Sequence, residues 1–375
     1  MRNRRKLISL MVIALACAPG CGANQLPITV EKRKTVTIDV TDIELIQDQP
    51  LLLERVIHPG DRILFIGDEL TQQRLYTRAT AAALLVIMPD ADLRFFNGGY
   101  SDATTETAAA WIDDLLELSR PTVVFVCFGL NDAARPGATT QKVEQYKKSL
   151  SALIDRTRQS NPTNPPRVVV LSAPAVAPIT MPSRHATPDN DTLRAFALAA
   201  RQTAFDKNAM CADLMAPMQR AYTAVARSQN QIGNSDGEAA ASPSIRMMLT
   251  RDGRLPDEQG HVVLASMVLY GIGVSGRQLD LAGWSPLPAV RMGSIRGLLG
   301  LPVKVPTSAQ ARRSQQLYEG MRTFDQLFFD AWRLAPYRPN GATRAELMQK
   351  ADNEWAAVRR LARTDLAAAG PDREK

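Results

Sequence analysis

Four short segments carry residues able to do chemistry. Phe65-Ile66-Gly67-Asp68-Glu69-Leu70 ends an apolar run in two adjacent acids. Phe96-Asn97-Gly98-Gly99-Tyr100-Ser101 ends a second run in a glycine pair. Phe128-Gly129-Leu130-Asn131-Asp132 ends a third in an amide and an acid, and Asp252-Gly253-Arg254-Leu255-Pro256 lies far downstream, followed by Gly260-His261. Brought together, Asp68, Glu69, Asp132 and Asp252 would form a carboxylate crevice. Such a crevice suits either a divalent cation or an acid/base pair acting on a glycoside. Histidine is scarce, with His58, His185 and His261 alone. No Cys/His spacing supports zinc, and no cofactor is expected.

These segments need a frame that gathers them. From Gly60 onward, short runs rich in Val, Ile, Leu and Phe alternate with helical periods. Residues 62–66, 93–96, 122–128, 167–171 and 211–214 read as strands. Their apolar residues are continuous rather than alternating, as in a parallel sheet covered on both faces. Helical patterns fill 70–88 (stopped by Pro89), 105–118, 141–160 and 191–210. This alternation predicts a doubly wound α/β sheet, and in such sheets ligands bind beyond the carboxyl ends of the strands. Three of the four segments sit there.

In that order and frame the blocks resemble the SGNH (GDSL-type) hydrolase family over roughly residues 60–272. That family carries Gly-Asp-Ser-Leu, a glycine loop, Gly-x-Asn-Asp, and Asp-x-x-His-Pro followed by Gly-His. The resemblance implies a flavodoxin-like α/β fold and ester or acetyl-carbohydrate chemistry. It also assigns roles. Gly99 N–H and the Asn131 amide stand where oxyanion donors stand, and Asp252 stands where the acid orients the base. Asp68, Tyr100 and Asp132 are the accompanying binding candidates; the resemblance also implies that Asp68 and Asp132 brace their loops by accepting backbone N–H bonds, the reading that competes with a carboxylate crevice. The nucleophile position holds Glu69 and the base position holds Leu255. Leucine accepts no proton, and losing triad members costs a serine hydrolase several orders of magnitude in rate. The sequence therefore points to a pseudoenzyme whose crevice binds an acyl or carbohydrate ligand. Two alternatives stay open: an esterase or acetyl-carbohydrate hydrolase using Glu69 or a displaced histidine, and an interaction scaffold using C-terminal helices. A geometric expectation follows: the Glu69 carboxylate, opening a helix, occupies the former oxyanion hole against Gly99 N–H or the Asn131 amide.

The rest of the chain sets the surroundings. Arg2, Arg4, Arg5 and Lys6 precede an apolar run from Leu7 to Ala16, the pattern of an export signal over residues 1–21. Leu15-Ala16-Cys17 resembles a lipobox end and Cys21 follows Pro19-Gly20, so lipid anchoring at either cysteine and simple cleavage are both open. Either route leads to the bacterial cell envelope or beyond. The formal charge is +7, but without those four residues 41 basic stand against 38 acidic residues, a balance that calls for no nucleic acid. Residues 22–59 read as an N-terminal segment with one or two strands, one of them the alternation at 35–40. Residues 228–244, rich in Ser, Asn, Gly and Ala, read as an insertion or lid. Residues 276–375 read as a linker and a helical extension, with a helix from about 308 to 332. A second helix begins at Thr343, with Glu346 in capping-box spacing and a face of Leu347, Trp355, Val358 and Leu361. The sheet order that the resemblance implies puts Cys127 and Cys211 on strands separated by the one at 168–171, too far apart to bridge.

Overall fold

The computed structural model describes residues 51–134, 139–177, 188–233, 249–250, 252–276, 278, 308–334 and 341–363. The export signal, the alternation at 35–40, His185, the second half of the 228–244 segment and the C-terminal tail lie outside them.

Helix α1 (Leu53–Val56) precedes strand β1 (Arg62–Gly67). After it come α2 (Glu69–Gln72), α3 (Leu75–Ile87), β2 (Arg94–Gly99), a 3-10 turn at Thr107–Ala110 and α4 (Ile112–Ser119). Strand β3 (Val123–Cys127), α5 (Leu130–Ala133), α6 (Thr140–Gln159), β4 (Arg167–Leu171), α7 (Asn190–Asp206), β5 (Met210–Ala212) and α8 (Met215–Gly233) complete the alternation. Helices α9 (Glu258–Gly271), α10 (Ser308–Phe329, continued by a π turn at Asp330–Leu334) and α11 (Arg344–Arg363) follow. The five strands pair in parallel in the order β2-β1-β3-β4-β5. Their central residues are buried, as the unbroken apolar runs require. Cys127 on β3 and Cys211 on β5 have β4 between them, with Cys127 opposite Leu171 and Val170 opposite Cys211. Two strand spacings exceed disulfide reach.

Three expectations are corrected. The helix expected over 70–88 is two helices, broken where Arg74 adopts a left-handed conformation (φ 63°). Tertiary contacts hold this residue there: its guanidinium donates to the Asp325 carbonyl (3.1 Å) and Gln326 Oε1 (3.2 Å) and lies over the Phe329 ring. They offset the roughly 1–2 kcal/mol that conformation costs. The pattern at 105–118 is a 3-10 turn followed by α4, because Trp111 interrupts the helical backbone (φ −133°). The first part of the 228–244 segment continues helix α8 to Gly233. The strands expected within 22–59 are not tested by the described part, residues 51–59, which contains a short helix whose Leu53 and Val56 join the core.

The C-terminal helices are built into the sheet's flank. Helix α3 is buried from Tyr76 to Val86 because α9 and α10 both pack on it. Helix α11 begins with the expected capping box: Glu346 Oε2 accepts from Thr343 N (2.8 Å) and Glu346 N donates to Thr343 Oγ1 (3.2 Å). Its inward face is Ala351, Trp355, Val358 and Ala362, with Leu347 and Leu361 only half-buried. Trp355 meets Phe95 and Phe324, while Phe96 of β2 meets Phe324 and Phe328 of α10.

Candidate functional site

The strand order reverses at β1, which has β2 on one side and β3 on the other. A doubly wound sheet opens its crevice at such a point. Gly67 pairs with Cys127 in register, so the loops after β1 and β3 leave the sheet side by side. Glu69 and Asn131 are thereby neighbours. Gly99 ends β2 against the last residues of α2, and a methyl group on it would sit 2.1 Å from Gln72 N. That close approach accounts for glycine there.

Asp68 caps α2, its Oδ1 accepting from Leu70 N at 3.0 Å. It is buried, and burial together with the adjacent Glu69 pushes its carboxyl well above the usual range. Asp132 accepts from Thr105 N (3.1 Å) and Thr105 Oγ1 (2.6 Å). Its Oδ2 is covered and has no partner among the described residues, and burial pushes its pKa up to about 6. Both aspartates brace loops.

Glu69 points inward, with its side chain 13% exposed. Its Oε2 accepts from the Asn131 amide at 2.7 Å and its Oε1 is ion-paired with Arg254 Nη1. The second amide bond of Asn131 goes to the Ala103 carbonyl (3.0 Å), and its Oδ1 accepts from Arg254 Nη2 at 2.5 Å. Glu69, Asn131 and Arg254 thus form a closed triangle in which an anion, an amide and a cation satisfy one another. Of the two donors expected to receive Glu69, only the Asn131 amide does so. Gly99 N–H donates to Asn97 Oδ1 at 3.0 Å instead, held there by the tight turn at the end of β2.

The downstream block supplies Arg254. Asp252 Oδ1 accepts from Arg254 N (2.9 Å) and Leu255 N (2.8 Å), while Thr250 Oγ1 receives Gly253 N (3.0 Å) and donates to the Leu255 carbonyl (2.6 Å). Asp252 therefore braces the loop that aims Arg254, and Leu255 packs against the core. Arg254 escaped the sequence reading because its position corresponds to an unspecified one in the family block. A signal was available: the acid at position 69 has an opposite charge in Arg254, next to Leu255 in the downstream block. Tyr100 is engaged elsewhere, stacked on Trp111 (5.6 Å) with the Arg333 guanidinium over its ring (3.4 Å). Packing against the C-terminal helices claims it.

Neither described histidine is placed to act as a base. His58 lies at the amino ends of the strands against Arg167. His261 is fully buried, bonds Gln73 Oε1 at 2.7 Å and stacks on Tyr76. Burial pushes its pKa down to about 3. Among the described residues, no group of three His, Cys, Asp or Glu is placed to hold a metal ion.

The His261 value carries a stability consequence. Its folded pKa, about 3, lies below the unfolded value near 6.5. The unfolded chain therefore binds more protons between those limits. The stabilisation is fully present above about pH 6.5 and is lost as pH falls toward 3. Asp132, raised to about 6, acts with the opposite sign, its contribution being lost as pH rises through 6. Comparing His261→Gln with wild type cancels that background. Urea unfolding at pH 7 and pH 4 should show the variant losing about 3 kcal/mol less than wild type on acidification. Equal losses would place a solvated histidine at 261.

Comparison with known proteins agrees with this architecture. Residues 65–237 match the GDSL-like lipase/acylhydrolase family. Over that stretch the chain is similar to GDSL-like hydrolases. The chain is similar in structure to BT4096, described as a gut microbial diltiazem-metabolizing enzyme (TM-score 0.55, 15% identity, covering 82% of this chain and 90% of that one). It is also similar to Axe2, an acetylxylan esterase from Geobacillus stearothermophilus (TM-score 0.43, 20% identity, 59% of this chain and 97% of that one). A third is LAE5, an alpha/beta hydrolase enzyme from the metagenome of Lake Arreo, Spain (TM-score 0.42, 21% identity, 58% and 98%). The likeness to BT4096, at this identity, is one of fold. No curated protein matches the chain.

Proposed function

We propose that this GDSL-like domain belongs to an exported pseudoenzyme, silent as an esterase, whose crevice holds an acyl or carbohydrate ligand. The observation that carries the reading is the closed triangle of Glu69, Asn131 and Arg254. An esterase needs a nucleophile with a base beside it and a donor free to meet a developing oxyanion. Here the nucleophile position carries an anion, the base position carries Leu255, and the Asn131 amide is spent on the protein's own carboxylate. A carbohydrate is favoured over a purely apolar acyl chain by the cleft beside the triangle. That cleft, about 330 Å³, is lined by Thr105, Asn131, Asp132, Lys142 and Gln145 among others. The uncommitted Asp132 Oδ2 suits a hydroxyl donor. The scaffold alternative is disfavoured because α11 spends its apolar face on β2 and α10.

The purified mature protein should hydrolyse aryl acetates no faster than a control with inert protein, at least ~10⁴-fold below an intact triad. Turnover abolished by Glu69→Ala would establish the active alternative. Nuclear magnetic resonance titration with acetylated and plain oligosaccharides should perturb signals around Asn131 and Asp132 in wild type but not in Gln145→Ala/Asp132→Asn. Perturbation unchanged in the variant would place the ligand elsewhere.

A further inference from the structure

The opposite end of the sheet holds a second constellation, independent of the triangle. At the amino ends of β1 and β2, Arg62 and Arg94 face each other in register. Like charges directly opposite destabilise a sheet unless something offsets them. Both guanidinium groups lie against the ring of Phe96, at 4.8 and 5.1 Å from its centroid. Arg120, held in a left-handed conformation (φ 44°) after α4, and Arg344 at the start of α11 join them around a cleft of about 540 Å³. Glu117 and Asp352 line the same cleft, so four cations meet two anions there.

The pairing of these charges is incomplete. Arg94 is paired with Asp352, and Arg344 reaches Asp114 at 3.2 Å. Arg62 donates only to backbone carbonyls, to Ser119 from Nε (2.8 Å) and Nη2 (2.5 Å) and to Arg120 (3.1 Å). Arg94 Nε is buried without an acceptor, and the Arg120 side chain has no ion-pair partner among the described residues. Burial and the neighbouring Arg94 and Arg120 push the Arg62 pKa down to about 10. Guanidinium forks crowded in this way match the oxygens of a tetrahedral anion, which would neutralise the excess.

We propose that the cleft between Arg62, Arg94, Arg120 and Arg344 is a binding site for a phosphate-type oxyanion. The site would be salt-sensitive, since two of its arginines face solvent. Titration calorimetry of the mature protein with inorganic phosphate, at fixed ionic strength in chloride buffer, should show one site with a Kd below about 1 mM. Arg120→Gln/Arg344→Gln changes two surface residues, so the fold should survive, as circular dichroism would show. Phosphate affinity should fall at least ~10-fold in that variant. A phospholipid headgroup offers the same chemistry. Sedimentation with phosphatidylglycerol diluted in phosphatidylcholine vesicles provides the second arm. Vesicle binding lost in the double variant, with free phosphate silent, assigns the site to headgroups. Absence of both interactions, or a detected interaction that is equally strong in wild type and variant, overturns the proposal.

Discussion

Arg254→Ala should lower the stability of the folded protein by about 3–5 kcal/mol. The Arg254 side chain is 2% exposed and the Glu69 side chain 13%, so the substitution strands a carboxylate that water reaches poorly. It also leaves Asn131 Oδ1 without its donor. A buried pair contributes little net stability when both members are present, because desolvation offsets the Coulomb attraction, yet removing one member exposes the full penalty on the other. The double variant Glu69→Gln/Arg254→Met should therefore recover most of the loss. Glutamine still accepts from the Asn131 amide, and methionine fills the guanidinium's stem volume without charge. Urea unfolding of the three proteins at pH 7 measures this. A loss below about 1 kcal/mol in Arg254→Ala would mean that the triangle is open to solvent and does not plug the crevice.

Trp355→Ala should cost about 3–5 kcal/mol and lower the melting temperature of the whole α/β unit by roughly 6–15 °C in a single transition. Trp355 is 3% exposed, at the junction where α11 meets Phe95 of β2 and Phe324 of α10. The same aromatic layer continues through Phe96 and Phe328. Electrostatic contacts reinforce it: Arg78 on α3 pairs with Asp325 at 3.0 Å, both nearly buried. The helical extension and the sheet therefore share one core, and emptying its centre weakens both. Differential scanning calorimetry distinguishes the outcomes. A separate low-temperature transition, with the main one unmoved, would show that the C-terminal helices fold on their own.

The sequence by itself determined the sheet and its approximate strand limits, because a strand buried on both faces must be apolar at every position. The runs at 62–66 and 167–171 could be little else. It also determined the loops at which to look, since glycine pairs and acids at strand ends have few other uses. The cap of α11 by Thr343 and Glu346 was legible because its partners lie within three residues of each other.

What depended on residues distant in the chain was decided by the tertiary structure alone. The break at Arg74 depends on Asp325 and Gln326, some 250 positions away. The choice of Glu69 for Asn131 rather than Gly99 depends on Asn97, which claims the Gly99 N–H first. Arg254 became visible as the cation of the site only once β1, β3 and the Asp252 loop converged. Local propensity and periodicity report on neighbours in sequence. A charge triangle closed across 62 and 123 residues is set by which strand ends the fold brings together.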